Sequence, residues 1–245
     1  MNKTAIIIPS RLNAIRLPNK PLKLIGGKEM ILHLYDAAIK AETGDVIVAT
    51  PDLEIFNIVK KYGGHAQITR TNHKTGSDRV FEVFENELKK GVDTIINLQG
   101  DMPNIDSKAI KKLADHLNKN SCEIATLASK LDLKKDAQDE NVCKVETREK
   151  ISQNSFAEAL DFYRMSKNVN FDFTYHHIGI YAFTNKALIR YVSLKRSKLE
   201  VKRNLEQLRA LENKMKIDVG YTEDLPLSVD TEDDFLEVKK IMENK

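Results

Sequence analysis

Cysteine is nearly absent from this chain. Among 245 residues there are two, Cys122 and Cys143. Neither sits in a CxxC or Cys/His ligand spacing, which argues against a disulfide framework and against a structural zinc site. Two isolated thiols suit a reducing compartment. No apolar run approaches the roughly 20 residues that a membrane span needs. The amino terminus enters a strand almost at once and lacks the form of a signal peptide. A cytoplasmic location is therefore expected, and a membrane partner is not. A charge imbalance is missing too: 39 Lys and Arg against 36 Asp and Glu leave a formal net charge of +3. That gives no sign of the clustered basic face a nucleic-acid binder needs. Neither GxxxxGK followed by Ser or Thr, nor GxGxxG, occurs, so the chain reads as neither a phosphate-loop ATPase nor a dinucleotide dehydrogenase. Repeats, low-complexity segments and clear linkers are also lacking. The length suits one large domain, or one domain with a small insertion, and is enough to bury a substantial core.

What is present is an alternation of strand and helix. Thr4-Ala5-Ile6-Ile7-Ile8 reads as a buried strand, because Ile is stiff at χ1 and packs well on a pleated surface. Helical spacing covers 29–41, 53–61, 80–88 and 106–118. Short strands are predicted at 45–50, 66–69, 92–98 and 123–127. This predicts an α/β fold: a mostly parallel central sheet with helices on both faces. After about residue 129 the pattern changes. A polar loop at 132–140, a strand at 142–147 and an extended aromatic stretch at 171–183 form a small extended elaboration, about 130–200. A helix at 199–211, a strand at 217–221 and a helix at 231–243 complete a single domain spanning 1–245.

Chemistry-bearing residues recur at predicted strand ends. Pro9-Ser10-Arg11 follows the first strand, and a proline-stiffened loop then carries Arg16 and Lys20. In open α/β sheets ligands bind at the carboxyl ends of strands, so three cations there suit a polyphosphate; a solvated basic turn is the alternative. Gln99-Gly100-Asp101 ends another strand. Asp101 fits either a turn or a Mg²⁺ ligand beside phosphate oxygens. Thr231 and Asp234 have the spacing of a capping box, which leaves Asp230 able to bind metal. In Thr75-Gly76-Ser77-Asp78-Arg79 a glycine beside a helix start lets backbone amides approach an anion or a base; a capped helix start is again the alternative. His176 and His177 are adjacent on a strand, so they point to opposite faces: one is expected to be exposed, one to line a pocket.

With these residues in hand, the chain resembles the 3-deoxy-manno-octulosonate cytidylyltransferase (CMP-Kdo synthetase) family nearly end to end. The resemblance rests on Ile7-Ile8-Pro9-Ser10-Arg11, Arg16-Leu17-Pro18-Asn19-Lys20-Pro21-Leu22 and Thr75-Gly76-Ser77-Asp78-Arg79. It continues through Asn97-Leu98-Gln99-Gly100-Asp101, Ala159-Leu160 with Phe162 and Arg164, and His177-Ile178-Gly179-Ile180-Tyr181. Leu205-Glu206-Gln207-Leu208-Arg209 and Val229-Asp230-Thr231 complete it. It implies a nucleotide-diphospho-sugar transferase fold, usually dimeric, that transfers CMP from CTP to the anomeric hydroxyl of Kdo and releases pyrophosphate for lipopolysaccharide assembly. Carried over by motif, Arg11 and Lys20 would contact the triphosphate. Pro9, Ser10, Thr75, Gly76, Ser77, Arg79 and Gln99 would hold the nucleotide. Asp101 and Asp230 would hold Mg²⁺, and Gln99, Arg164, His177, Tyr181, Glu206 and Gln207 would line the side of the acidic sugar. The catalytic set would be Arg11, Lys20, Asp101 and Asp230.

Several positions depart from the commonest family pattern. Met102 replaces a Glu, Lys198 a Pro and Arg203 a Glu. Pro51-Asp52 stands for an Asp directly after Ala-Thr, and Asp161 and Tyr163 interrupt Ala-Leu-Tyr-Phe-Ser-Arg. The last lie near the expected sugar end. The rival readings are a cytidylyltransferase for another eight- or nine-carbon acidic sugar, such as 8-amino-Kdo or an N-acylneuraminate, and a non-catalytic nucleotide-binding module.

Overall fold

A computed structural model of the chain describes residues 3–13, 16–89, 91–120, 122–137, 139–165 and 170–244. They form two compact units, Met1–Ala114 with Pro226–Lys245, and Asp115–Leu225. The first unit opens with β1 (Thr4–Pro9), buried along its whole length as its isoleucines require. The basic loop follows; its Ala14 and Ile15 lie outside the described residues. A 3-10 turn at Lys20–Leu22 leads to β2 (Leu24–Ile25) and β3 (Lys28–Glu29), which pair as a small antiparallel ribbon. Then come α1 (Met30–Lys40), β4 (Gly44–Thr50), α2 (Leu53–Lys61), β5 (Ala66–Ile68), α3 (Gly76–Val83), β6 (Thr94–Leu98) and α4 (Ser107–Lys119).

The strands of the first unit run in the order β5-β4-β1-β6, every neighbouring pair parallel. Ile6 faces Val46 on one side and Ile96 on the other. With β1 between β4 and β6, parallel pairing brings Pro9-Ser10, Thr50 and Gln99 to the same edge.

Helix α3 starts at Gly76, earlier than the apolar spacing of 80–88 predicts. Thr75 Oγ1 accepts from the Asp78 amide at 3.2 Å and the Asp78 carboxylate accepts from the Thr75 amide at 3.1 Å, a reciprocal capping box. Polar capping residues, invisible to a hydrophobic period, set that boundary.

The second unit contains β7 (Ile124–Ser129), β8 (Lys144–Thr147), β9 (Phe156–Tyr163), β10 (Thr174–Thr184), α5 (Asn185–Ser193), α6 (Lys198–Arg203), α7 (Leu208–Glu212) and β11 (Ile217–Tyr221); α8 (Glu232–Glu243) belongs to the first unit again. The strand order is β10-β7-β11-β9-β8, and β8 also pairs with the start of β10, so the order closes on itself. Here β7–β11 is parallel and the other described pairs are antiparallel. Parallel pairing thus dominates the first unit, whereas the second is mixed. Strand β9 and helix α5 were not predicted.

The single helix expected at 199–211 is two helices. Asn204 takes a left-handed conformation, φ 52°, and ends α6; Asn tolerates that region better than most residues. Glu206 and Gln207 therefore sit in the turn before α7, not on a helix. The two helices are held by the buried Glu200 carboxylate, which accepts from Arg209 at 2.9 and 2.7 Å.

One apolar cluster positions the site. Leu17 of the basic loop, Ile25 and Met30 pack with Val229, Phe235 and Val238. The loop is pinned through Leu17 to the residues flanking Asp230.

Candidate active site

At the common strand edge, the Ser10 amide donates to the Ala49 carbonyl at 2.9 Å. The Leu12 amide donates to the Asp52 carboxylate at 2.8 Å, and the Asp52 amide to Thr50 Oγ1 at 3.1 Å. The basic loop is thus tethered at its start as well as at Leu17. Two glycines let the backbones close. A Cβ on Gly76 would lie 3.2 Å from Gln99 Oε1, and one on Gly100 would lie 2.8 Å from the Pro9 carbonyl oxygen. The resulting cavity, about 170 Å³, is lined by Pro9, Ser10, Arg11, Thr75, Gly76 and Gln99, with Arg79 also in its wall.

The polar groups of this cavity are aimed. Asn97 Nδ2 donates to Ser77 Oγ at 3.4 Å, and Gln99 Nε2 donates to Asn97 Oδ1 at 3.0 Å, which orients the Gln99 amide. Arg79 is buried; it donates to Thr69 Oγ1 and, at 3.1 Å, to the Arg70 carbonyl. Burial and then the neighbouring Arg11 lower the Arg79 guanidinium from its ordinary value. Ser10 Oγ is buried and has no hydrogen-bond partner among the described residues. A buried hydroxyl left unsatisfied costs about 1–3 kcal/mol, so a polar ligand group at this edge is the natural partner.

The acids lie together. The Val229 amide donates to the Asp101 carbonyl at 2.8 Å, tying the two acidic turns backbone to backbone. Lys20 Nζ donates to the Val229 carbonyl at 2.6 Å and lies 3.6 Å from Asp230 Oδ1; Arg16 Nη2 lies 2.9 Å from Asp230 Oδ2. Thr231 and Asp234 form the capping box of α8, and the Asp230 side chain takes no part in it. Burial raises the Asp101 carboxyl from its ordinary value and Asp230 raises it further, against Lys20 and the Ser228 hydroxyl. Two carboxylates on turns tied in this way, one of them desolvated by its surroundings, are a hard-oxygen donor pair. That donor set fits a divalent cation that also takes phosphate oxygens and water.

The expected sugar-side residues all fall in the second unit, apart from Gln99. On β10 a bulge between Ile178 and Tyr181, facing the adjacent Leu127 and Thr126, gathers the strand. His177 Nε2 and Tyr181 Oη then lie 3.0 Å apart, and Thr126 Oγ1 lies 3.1 Å from the same nitrogen. Burial lowers His177 to about 3, so the imidazole is neutral at physiological pH. Burial likewise raises Tyr181 well above its usual range. His176 is not the exposed member of its pair: it meets Asp136 at 3.0 Å, and both histidines are half-buried. Gln207 Nε2 donates to Cys143 Sγ at 3.5 Å, and the Glu206 carbonyl accepts from Tyr191 Oη at 2.9 Å. Arg164 Nη1 donates to the Glu140 and Asn141 carbonyls.

Sequence reasoning missed Thr126, Asp52 and Cys143. A lone threonine in an apolar strand was the available signal for the first, and it is an ordinary one. Asp52 and Cys143 act through partners that only the fold supplies.

A model of the cytidylyltransferase family matches residues 5–217. The 3-deoxy-manno-octulosonate cytidylyltransferase of Brucella ovis is 41% identical over 233 residues, 95% of this chain and 92% of that relative. The enzyme of the same name from Bartonella tribocorum is 42% identical over 238 residues, 97% of each. The chain belongs to the 3-deoxy-manno-octulosonate cytidylyltransferase family. A solved CMP:2-keto-3-deoxy-manno-octonic acid synthetase complexed with CTP agrees in fold, with a TM-score of 0.88 at 32% identity over 99% of both chains. The fold is thus the nucleotidyltransferase-like α/β fold, and the chain is of an enzyme class.

Family membership gives the sequence departures a structural reading. Met102 is buried at 3% exposure and serves the core. Asp52, displaced by Pro51, holds the Leu12 amide. Lys198 is the first residue of α6, the position at which proline is also favoured.

Proposed function

We propose that this chain transfers CMP from CTP to the anomeric hydroxyl of Kdo, giving CMP-Kdo and pyrophosphate for lipopolysaccharide assembly, as a cytoplasmic homodimer that uses Mg²⁺. The observation that carries the reading is the bond from the Val229 amide to the Asp101 carbonyl, which brings the turns of Asp101 and Asp230 together with Lys20 against Asp230, in the same unit as the Arg11–Gln99 cavity. A binding module has little use for a lysine-paired carboxylate beside a second, desolvated one.

The chain's own groups divide the work. Arg11 and Lys20 neutralise the triphosphate and take up the charge that builds on departing pyrophosphate; preorganised cations are effective there because they need no reorganisation. Pro9, Ser10, Thr75, Gly76, Ser77, Arg79 and Gln99 form the nucleotide side, with the Ser10 hydroxyl offering its unsatisfied bond. Asp101 and Asp230 would hold Mg²⁺. When bound, the ion supplies Lewis-acid charge to phosphoryl and sugar oxygens. His177, Tyr181, Glu206 and Gln207 provide neutral and acidic hydrogen-bonding groups for sugar hydroxyls, and Arg164 provides the cation for the sugar carboxylate. The elaboration at about 130–200 supplies sugar and dimer contacts.

The test is pyrophosphate release from CTP with a panel of Kdo, 8-amino-Kdo and N-acetylneuraminate. Kdo should give the highest kcat/KM. Preference for either other sugar replaces Kdo as substrate. Thermal stabilisation by CTP without pyrophosphate release from any sugar replaces catalysis with binding.

A further inference from the structure

The second unit holds three unlike ligand side chains that the proposed chemistry does not use. His116 lies near the end of α4, Cys122 in the connection after it, and Asp218 on β11. Their ligand atoms all lie within 4.8 Å of one another. His116 Nε2 and Asp218 Oδ2 are 2.8 Å apart, although 102 residues separate them in sequence. Cys122 Sγ donates to the Ile124 carbonyl at 3.0 Å. The group is withdrawn from solvent: Cys122 is buried, and the His116 and Asp218 side chains are 12% and 29% exposed. The imidazole is held on two further sides. The Phe156 ring stacks on it, with centroids 3.6 Å apart and planes 8° from parallel, and Asn120 Nδ2 lies 3.1 Å from Nδ1.

One thiol, one imidazole and one carboxylate form a borderline-soft donor set. It selects zinc over Mg²⁺ or Ca²⁺, which prefer oxygen alone. Three protein ligands leave the fourth tetrahedral position to water. Zinc bonds of about 2.0–2.3 Å place tetrahedral ligand atoms roughly 3.3–3.6 Å apart. The His116–Asp218 contact would open by about half an ångström to reach that spacing, a rotamer-scale adjustment. We propose that His116, Cys122 and Asp218 form a binding site for zinc or a cation of its class, which fastens the end of α4 to β11.

The proton balance is simple. The Cys122 thiol proton leaves to solvent as the thiolate binds. The proton between His116 Nε2 and Asp218 moves to Nδ1, and the Asn120 amide turns to accept a hydrogen bond from it, giving up its 2.9 Å bond to the His116 carbonyl. Asn120 then fixes the tautomer from outside the coordination sphere, as partners of metal-bound histidines commonly do. This site is independent of the Mg²⁺ reading of Asp101 and Asp230.

The test is titration of the chelator-treated full-length protein with Co²⁺, read by thiolate-to-cobalt charge-transfer absorption. The wild type should show the band, and Zn²⁺ should displace it. Cys122→Ser should abolish the band while circular dichroism stays unchanged, and Cys143→Ser should retain it. Asn120→Ala should weaken binding about 10–100-fold. The Asp101→Asn/Asp230→Asn double variant should keep the band, which separates this site from the acids of the first unit. Absence of a band in the wild type at saturating Co²⁺, or a band that survives in Cys122→Ser, would overturn the proposal. If Cys122→Ser does not fold, His116→Gln and Asp218→Asn provide the same test.

Discussion

Arg203 Nη1 donates to Asp161 Oδ1 at 2.6 Å, and the same nitrogen reaches the Phe162 carbonyl at 2.9 Å. Two of the departures from the family pattern are therefore partners. Each side chain is about one-third exposed, so the pair is worth roughly 0.2–1 kcal/mol. Arg203→Glu alone, which restores the common family residue, sets like charges together and should destabilise by about 1 kcal/mol. Adding Asp161→Tyr should recover most of that loss. Urea denaturation of both singles and the double measures the coupling; a coupling energy of zero would mean the two positions changed independently.

Asp101→Asn and Asp230→Asn should each lower turnover by about 10²–10³ with Mg²⁺, with the circular dichroism spectrum unchanged. Asp101→Asn should not lower the melting temperature, because it removes a carboxylate whose charge burial disfavours. Near-normal turnover in either variant removes that residue from the metal role.

Arg16 binds the Asp230 carboxylate from the surface, with its side chain 60% exposed. Arg16→Ala should therefore leave thermal stability nearly unchanged. It should lower the Mg²⁺ concentration needed for half-maximal activity, since it removes a competing cation from Asp230. A loss of turnover as large as that of Arg11→Ala would instead make Arg16 a phosphate contact.

His177 offers a pH signature. Its folded pKa is depressed to about 3 by burial, from an ordinary value of 6.5. The unfolded chain then binds the extra proton first, so stability is whole above pH 6.5 and falls on acidification through the window down to about 3. By pH 5 this group alone accounts for up to about 2 kcal/mol. His177→Gln should flatten the stability profile between pH 6.5 and 5; an unchanged slope would place the titrating group elsewhere.

The first unit was legible because its signals are local. Isoleucine runs ending in Pro9-Ser10-Arg11 and Gln99-Gly100-Asp101 mark buried parallel strands and the edge where they stop. Thr231 with Asp234 announced a cap that frees Asp230, and the structure has that cap. What was illegible depends on partners far along the chain or on single backbone conformations. Leucines at 199, 205, 208 and 211 keep a helical period, yet Asn204 in the left-handed region breaks it. His116, Cys122 and Asp218 have no ligand spacing in sequence, since β11 brings the third to the first two. The Asp161–Arg203 pair likewise looked like two unrelated exceptions.

The bond from Lys20 to the Val229 carbonyl spans 209 residues. On a ribosome adding about 5–20 residues per second, Lys20 waits about 10–40 s for that partner. From the addition of Asp101 until Asp230 is made, the nascent chain carries its cationic loop and the first acid without the second. A chain truncated before Val229 therefore carries the cationic loop and Asp101 but lacks both the carbonyl that Lys20 binds and the Asp230 carboxylate.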